Sequence, residues 1–221
     1  MIIRIIGTSL FCILLSSAGM SQKKERMVAI DTELGTMVIK LYNDTPIHRD
    51  NFIKLAKEGF YNGTLFHRIL PYFMAQGGDP FSKNAGPNQG LGTDDCGDLP
   101  AEILPHHYHK KGALAAARLP DSSNPERYSS ACQFFIVAGY KHDAQQLDNL
   151  ENENRKFTPF QRAWYKVKGG YPFLDGDYTV FGEIVEGFDV IDLITQIPTS
   201  QEGAIKDRPL QDVKMNVRML N

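Results

Sequence analysis

The sequence predicts a mainly β protein, an antiparallel barrel or sandwich carrying two separated helices. Three observations lead there. Alternating or continuous apolar runs recur in MVAIDTELGTMVIKLY (27–42), CQFFIVAG (132–139), YTVFGEIV (178–185) and VKMNVRML (213–220). Outside residues 140–171, helical patterns occur only twice and far apart. No strand–helix–strand alternation runs through the chain, as a wound parallel sheet would require.

The first strands follow from residues 27–42, two β-rich runs about a turn at Leu34 and Gly35. The first helix has legible ends: Thr45 as N-cap, Pro46 at the first helical position and Gly59 as the stop. Phe52, Ile53, Leu55 and Ala56 give it a broad apolar face. Residues 77–100, rich in Gly, Pro, Asn and Asp, read as a long ordered loop. The run QGGDP (76–80) lacks the spacing and the Lys-Ser/Thr ending of a phosphate-binding loop. Residues 132–139 read as a buried strand, 178–185 as another, and GFDVIDLITQI (187–197) as the second helix. At the C-terminus Val213, Met215, Val217 and Met219 alternate with Lys214, Asn216 and Arg218, a half-buried strand.

Residues 140–171 do not fit a plain β domain. HDAQQLDNLENENRK is polar and helical, and TPFQRAWYKVKGG carries a capping box, Thr158 with Gln161, and Pro159 in the first turn. Phe160, Ala163, Trp164 and Val167 fall on one face, and Gly169 follows as the stop. The whole reads as a helical hairpin inserted between two strands.

The first 21 residues have one early cation, Arg4, an apolar stretch from Ile5 to Leu15 and then small residues. That order predicts a signal peptide cleaved before Gln22, the apolar run being shorter than the roughly 20 residues of a bilayer span. Bulky Leu10 and Phe11 before Cys12 argue against lipidation. The predicted organisation is therefore 1–21 signal peptide and 22–221 one domain, exported to a periplasm or the medium, with no stable membrane insertion after cleavage. A length of 221 residues, 42% hydrophobic and 23% charged residues and a net charge of −2 suit a globular domain. No basic stripe with interleaved aromatics marks a nucleic-acid partner. Once Cys12 leaves with the signal, Cys96 and Cys132 remain. The residues alone leave them open between one disulfide and two buried thiols.

FHRILPYFMAQGGD (66–79) sets one arginine among aromatic and apolar side chains. This segment resembles the signature of the cyclophilins, the peptidyl-prolyl cis–trans isomerases. KGALAAAR (111–118), CQFFI (132–136) and FLDGDYTVFGEIVEGFDVID (173–192) resemble further family motifs, in the family's order. The resemblance implies a closed eight-stranded antiparallel barrel capped by two helices, with the hairpin at about 140–171 as an insertion. It implies Arg68 as the catalytic arginine and Phe73, Met74, Phe135 and Leu174 as walls of a proline pocket. Gln76 and Gln133 fall where the substrate backbone is hydrogen-bonded. Ala117 and Arg118 lie along the substrate, with a main-chain contact at Arg118. Tyr178 stands where many members have His, and Phe173 where many have Trp. The lost indole donor leaves sensitivity to cyclosporin-type ligands open. Ala116, where Met is common, implies a roomier neighbouring pocket. The resemblance also brings Cys96 and Cys132 together beside the secondary substrate pocket, and so implies a bridge between them.

The partners implied are proline-containing polypeptides, the state a monomer and the cofactors none. The competing reading is a proline-peptide-binding module or chaperone on the same barrel, which would not need the arginine. His106, His107 and His109 read as a solvated loop and not a metal site, because adjacent histidines on a strand point apart and no further ligand follows at metal-site spacing. His67 reads as a structural hydrogen-bonder. Asp121, Ser122 and Ser123 lack the surroundings of a hydrolase nucleophile.

Overall fold

The computed structural model describes residues 26–93, 96–153 and 155–220. The predicted signal peptide lies outside them. Eight strands close into an antiparallel barrel: β1 (Arg26–Thr32), β2 (Gly35–Leu41), β3 (Thr64–Leu70), β4 (Met74–Gly77), β6 (Ala113–Ala116), β8 (Phe134–Val137), β9 (Val180–Glu186) and β10 (Lys214–Leu220). Around the barrel they run β1-β10-β3-β4-β8-β6-β9-β2. Closure removes every free edge, which an open sheet would leave exposed. The short strands β5 (Asp98–Leu99) and β7 (Ser129–Ser130) pair separately.

Alternation sorts the side chains. Phe134 and Ile136 on β8, Leu114 and Ala116 on β6, and Met215 and Val217 on β10 are buried in the interior cluster. Phe135, Val137, Ala113 and Ala115 belong to a second cluster on the other face of the wall. Helix α1 (Pro46–Lys57) adds Phe52 and Ala56 to the interior, and α4 (Phe188–Thr195) adds Val190, Ile191 and Ile194. Ala116 therefore belongs to the barrel interior.

The start of α1 departs from expectation. Thr45 stands at the N-cap, but its side chain makes no capping hydrogen bond, and its buried hydroxyl has no partner among the described residues. Glu102 does the capping instead, accepting from the N–H groups of Ile47 (3.0 Å) and His48 (2.9 Å) and contacting His48 Nδ1 (2.7 Å). A carboxylate there satisfies orphan donors and meets the positive end of the helix. Burial keeps His48 below its ordinary imidazole value, against the opposing pull of Glu102.

Between β8 and β9 the chain forms α2 (Ala144–Leu150) and α3 (Pro159–Val167), each opened by a capping box, Asp143 with Gln146 and Thr158 with Gln161. Of the apolar face of α3 only Trp164 packs, against the cluster of Tyr108, Leu147, Phe157 and Tyr165. Gln161 and Tyr165 are buried, whereas Phe160 is 68% and Val167 61% exposed. Tyr165 is buried among those rings, and the polar groups on this face are met: Gln161 donates to Pro105 O (3.2 Å) and Tyr165 to Asp175 Oδ2 (2.6 Å). Where this segment leaves and rejoins the barrel, Tyr140 and Gly170 exchange backbone hydrogen bonds of 3.2 and 3.1 Å. A Cβ on Gly139 would lie 2.4 Å from the Gly170 backbone, so the close crossing requires glycine there.

Candidate active site

A break in strand register aims Arg68. In β3, Phe66 and Ile69 both lie in the interior, three residues apart, which strict alternation forbids. The register against β4 shifts between Phe66, paired with Gly77, and Arg68, paired with Gln76. A bulge of this kind inverts the facing of the residues beyond it. Arg68 consequently emerges with its side chain 44% exposed, while His67 is buried.

Beyond the bulge the guanidinium has two neighbours. Its Nη1 donates to Gln76 Oε1 at 3.4 Å, and its Nε lies 3.5 Å from Asp207 Oδ2. Gln76 in turn donates from Nε2 to Gln133 Oε1 at 3.1 Å. Arg68, Gln76 and Gln133 thus form one polar row across β3, β4 and the residue preceding β8. Asp207 carries no sequence motif. It sits in a left-handed conformation (φ 65°), and its carbonyl accepts from Ile69 N–H (2.8 Å), which ties this loop to the strand that carries Arg68.

Beside that row is the outer apolar cluster. Met74, Phe135, Val137, Ala115 and Val180 are among its buried members, with Phe73, Leu174 and Tyr178 packed against them. Phe135 meets Tyr178 edge to face at 5.7 Å, and Phe73 stacks on Tyr171 at 4.0 Å. Four expected pocket walls, Phe73, Met74, Phe135 and Leu174, are therefore gathered with Tyr178. Phe173 stands apart at 40% exposure, its ring near Tyr171 and His142. A fixed cation next to an apolar depression suits a ligand with a compact hydrocarbon ring and an adjoining electron-rich atom.

A family model described as "Cyclophilin type peptidyl-prolyl cis-trans isomerase/CLD" matches residues 27–218. The chain belongs to the cyclophilin-type peptidyl-prolyl cis–trans isomerases. A peptidyl-prolyl cis–trans isomerase of Acinetobacter baylyi is 35% identical over 190 residues, covering 86% of this chain and 82% of that one. A Streptococcus pyogenes protein, named as a putative bifunctional phosphatase and peptidyl-prolyl cis–trans isomerase, is 37% identical over 189 residues. That match covers 84% of this chain but 37% of the longer protein. The crystal structure of a Cryptosporidium parvum cyclophilin superposes with a TM-score of 0.64 at 21% identity, covering 90% of this chain and 99% of that one. That cyclophilin has also been solved in the presence of the dipeptide Ala-Pro.

In this cyclophilin the loop bearing Leu174 and Tyr178 is braced from several sides. Asp177 O accepts from Arg118 Nε (2.7 Å), and the Asp177 carboxylate pairs with Arg127 (3.1 Å) and Arg155 (3.2 Å). Arg155, between α2 and α3, also donates to Phe173 O (3.0 Å) and Asp175 O (3.2 Å). Asp175 accepts from His109 N–H (2.7 Å) and from Tyr165. The Arg118 side chain lies over the Tyr178 ring, 4.5 Å from its centroid. Ala117 has both backbone groups engaged, its N–H to Gln133 O and its carbonyl from Ser130 N–H. Its contribution to a ligand groove is shape.

The polar groove beyond Gln76 and Gln133 is lined by Gly92, Ala117, Arg118, Asn124 and Tyr128, with Cys96 among them. Cys96 is disulfide-bonded to Cys132, with Cα atoms 5.8 Å apart. Gly78 must remain glycine beside that bridge, since a Cβ would fall 2.2 Å from Cys132 O.

Two expectations about histidines are corrected. Neither ring nitrogen of His67 finds a well-formed hydrogen bond among the described residues, and burial pushes its imidazole down to about 4. His106 and His107 do not diverge, because residues 105–107 form a turn and not a strand. Both rings converge on Asp44, at 2.7 Å each.

Proposed function

We propose that this chain accelerates rotation about X–Pro bonds in exported proteins, with Arg68 stabilising the twisted imide. The observation that carries this reading is the emergence of Arg68 at the β3 bulge, beside the cluster of Phe73, Met74, Phe135 and Leu174.

Partial double-bond character sets a barrier of about 18–20 kcal/mol and spontaneous exchange in tens to hundreds of seconds. Crossing it breaks no σ bond and moves no net proton, so neither nucleophile nor metal is needed. As the bond twists, conjugation is lost and the proline nitrogen becomes pyramidal and basic. A fixed N–H donor aimed at that nitrogen binds it more strongly in the twisted state than in the planar one, which is the condition for catalysis. Arginine suits the task because it stays charged and its donors are rigidly disposed. The Asp207 carboxylate and Gln76 restrain its two ends.

The apolar walls grip the pyrrolidine ring while the flanking chain turns. Gln76 and Gln133 offer amides to the peptide backbone, and Arg118 offers its own main chain. The Arg155 contacts keep Leu174 in place, so the helical segment after β8 acts as a support for the pocket wall. Export is supported by the order of charge, apolar stretch and small residues in 1–21 and by the Cys96–Cys132 bridge, which suits an oxidising compartment.

The test is the cis-to-trans relaxation of a short Ala-Pro peptide, together with the proline-limited refolding of a disulfide-bonded secreted protein. Acceleration of both is expected. A folded protein that accelerates neither would refute the reading and favour a proline-peptide-binding module.

A further inference from the structure

We propose that Asp44, His106 and His107 form a binding site for a divalent transition cation, Zn2+ or one of similar preference, separate from the row that carries Arg68. Their ligand-capable atoms all lie within 4.8 Å of one another. His106 Nε2 contacts Asp44 Oδ2 and His107 Nε2 contacts Asp44 Oδ1, each at 2.7 Å. In a tetrahedral zinc site with bonds near 2.0 Å, ligand atoms stand ~3.3 Å apart. The two contacts to Asp44 are shorter than that value and the remaining separation is within 4.8 Å, so small opening movements would admit the ion.

The convergence follows from the backbone. Adjacent side chains on a strand would face opposite ways. Here a turn closed by His107 N–H to Leu104 O (3.0 Å) brings both rings to one side, their centroids 4.3 Å apart. His107 is further fixed by stacking on Tyr42 at 4.0 Å and 11°. Asp44 comes from the other wall, immediately before α1, where Arg49 donates to Asn43 O (3.0 Å) and steadies the turn.

Two imidazoles and one carboxylate select zinc, copper, nickel or cobalt over magnesium and calcium, which prefer all-oxygen shells. In each ring the metal takes the Nε2 lone pair, so the tautomer protonated at Nδ1 is the one that binds. Three protein ligands leave a further coordination position for water or an exogenous group. That position opens toward a groove lined by Lys40, Tyr108, Lys110, Phe160 and Glu183. The groove's two ammonium groups, Lys40 and Lys110, both turn to Glu183.

The experiment is calorimetric titration of the untagged, metal-stripped chain with Zn2+ alone, repeated with His106→Ala and Asp44→Asn. His106 is 62% exposed on its side chain, so its truncation should leave the fold intact, as far-UV circular dichroism would check. One Zn2+ per wild-type chain is expected, with binding weakened about tenfold or more in each variant. Co2+ substitution should give visible d–d bands that His106→Ala abolishes. Absence of Zn2+ binding by the folded wild type would overturn the proposal, as would equal affinity in both folded variants.

Discussion

Replacing Arg68 by alanine should separate activity from stability, and the structure sets both magnitudes. The guanidinium is 44% exposed, its hydrogen bond to Gln76 is long at 3.4 Å, and its ion pair with Asp207 spans 3.5 Å. Ion pairs of that exposure contribute about 0–1 kcal/mol, and a bulge that turns the side chain outward leaves no core cavity when it is removed. Folding stability should therefore fall by less than about 1 kcal/mol. Loss of a pre-organised donor to developing charge or basicity costs about 2.7–4 kcal/mol of transition-state stabilisation, a rate loss of 10²–10³. The assay pairs kcat/KM for cis-to-trans isomerisation of an Ala-Pro peptide with a urea unfolding midpoint on the same preparation. Arg68→Lys should recover only part of the activity, because a single ammonium cannot address Gln76, Asp207 and substrate together. Activity within about threefold of wild type in a stable Arg68→Ala variant would refute the proposed role. A stability loss of several kcal/mol would refute the claim that the guanidinium is dispensable for folding.

Three further outcomes are expected. Glu102→Ala should lower unfolding stability by about 1–3 kcal/mol through loss of the α1 cap, whereas Thr45→Ala should change it little; the reverse ranking in urea titrations would refute the capping assignment. His67 has a folded value of about 4 against an ordinary 6.5, so the folded state binds fewer protons between those limits. Stability should be full above pH 6.5 and fall by up to about 3 kcal/mol as pH drops through 4, and His67→Gln should flatten that slope in pH-dependent unfolding. Reduction of Cys96–Cys132, separated by 36 residues, should cost about 4 kcal/mol by chain entropy; a change below about 1 kcal/mol after complete reduction, verified by mass, would contradict it.

The features legible in the sequence are those that local rules decide. The alternation of Val213, Met215 and Val217 and the capping box of Thr158 and Gln161 depend on neighbours a few residues away, and both have counterparts in the structure. The cap of α1 is not legible because its acceptor, Glu102, is 55 residues from Ile47. Asp207 escapes notice for the same reason, with a left-handed backbone as its only local peculiarity. On α3 the apolar pattern groups Phe160, Trp164 and Val167, but only Trp164 packs, and Gln161 and Tyr165 are buried against partners distant in sequence, Pro105 O, Tyr108 and Asp175. The histidine pair misleads because strand geometry is assumed where the chain turns. Ordered motifs lead to the barrel and the residues around Arg68, whereas residue types alone leave barrel and sandwich open.

The β3 bulge also has a consequence for how such a protein can change by descent. Arg68 faces outward because its neighbour Ile69 faces inward beyond the bulge, and the extra residue before them is what lets Phe66 face inward as well. A single-codon deletion at His67 would leave Phe66 and Ile69 two apart, so plain alternation would hold both inward and keep the guanidinium outside. The outward arginine is therefore compatible with two strand lengths, the present one with its bulge and a shorter one without it. A library built only from substitutions would overlook the second.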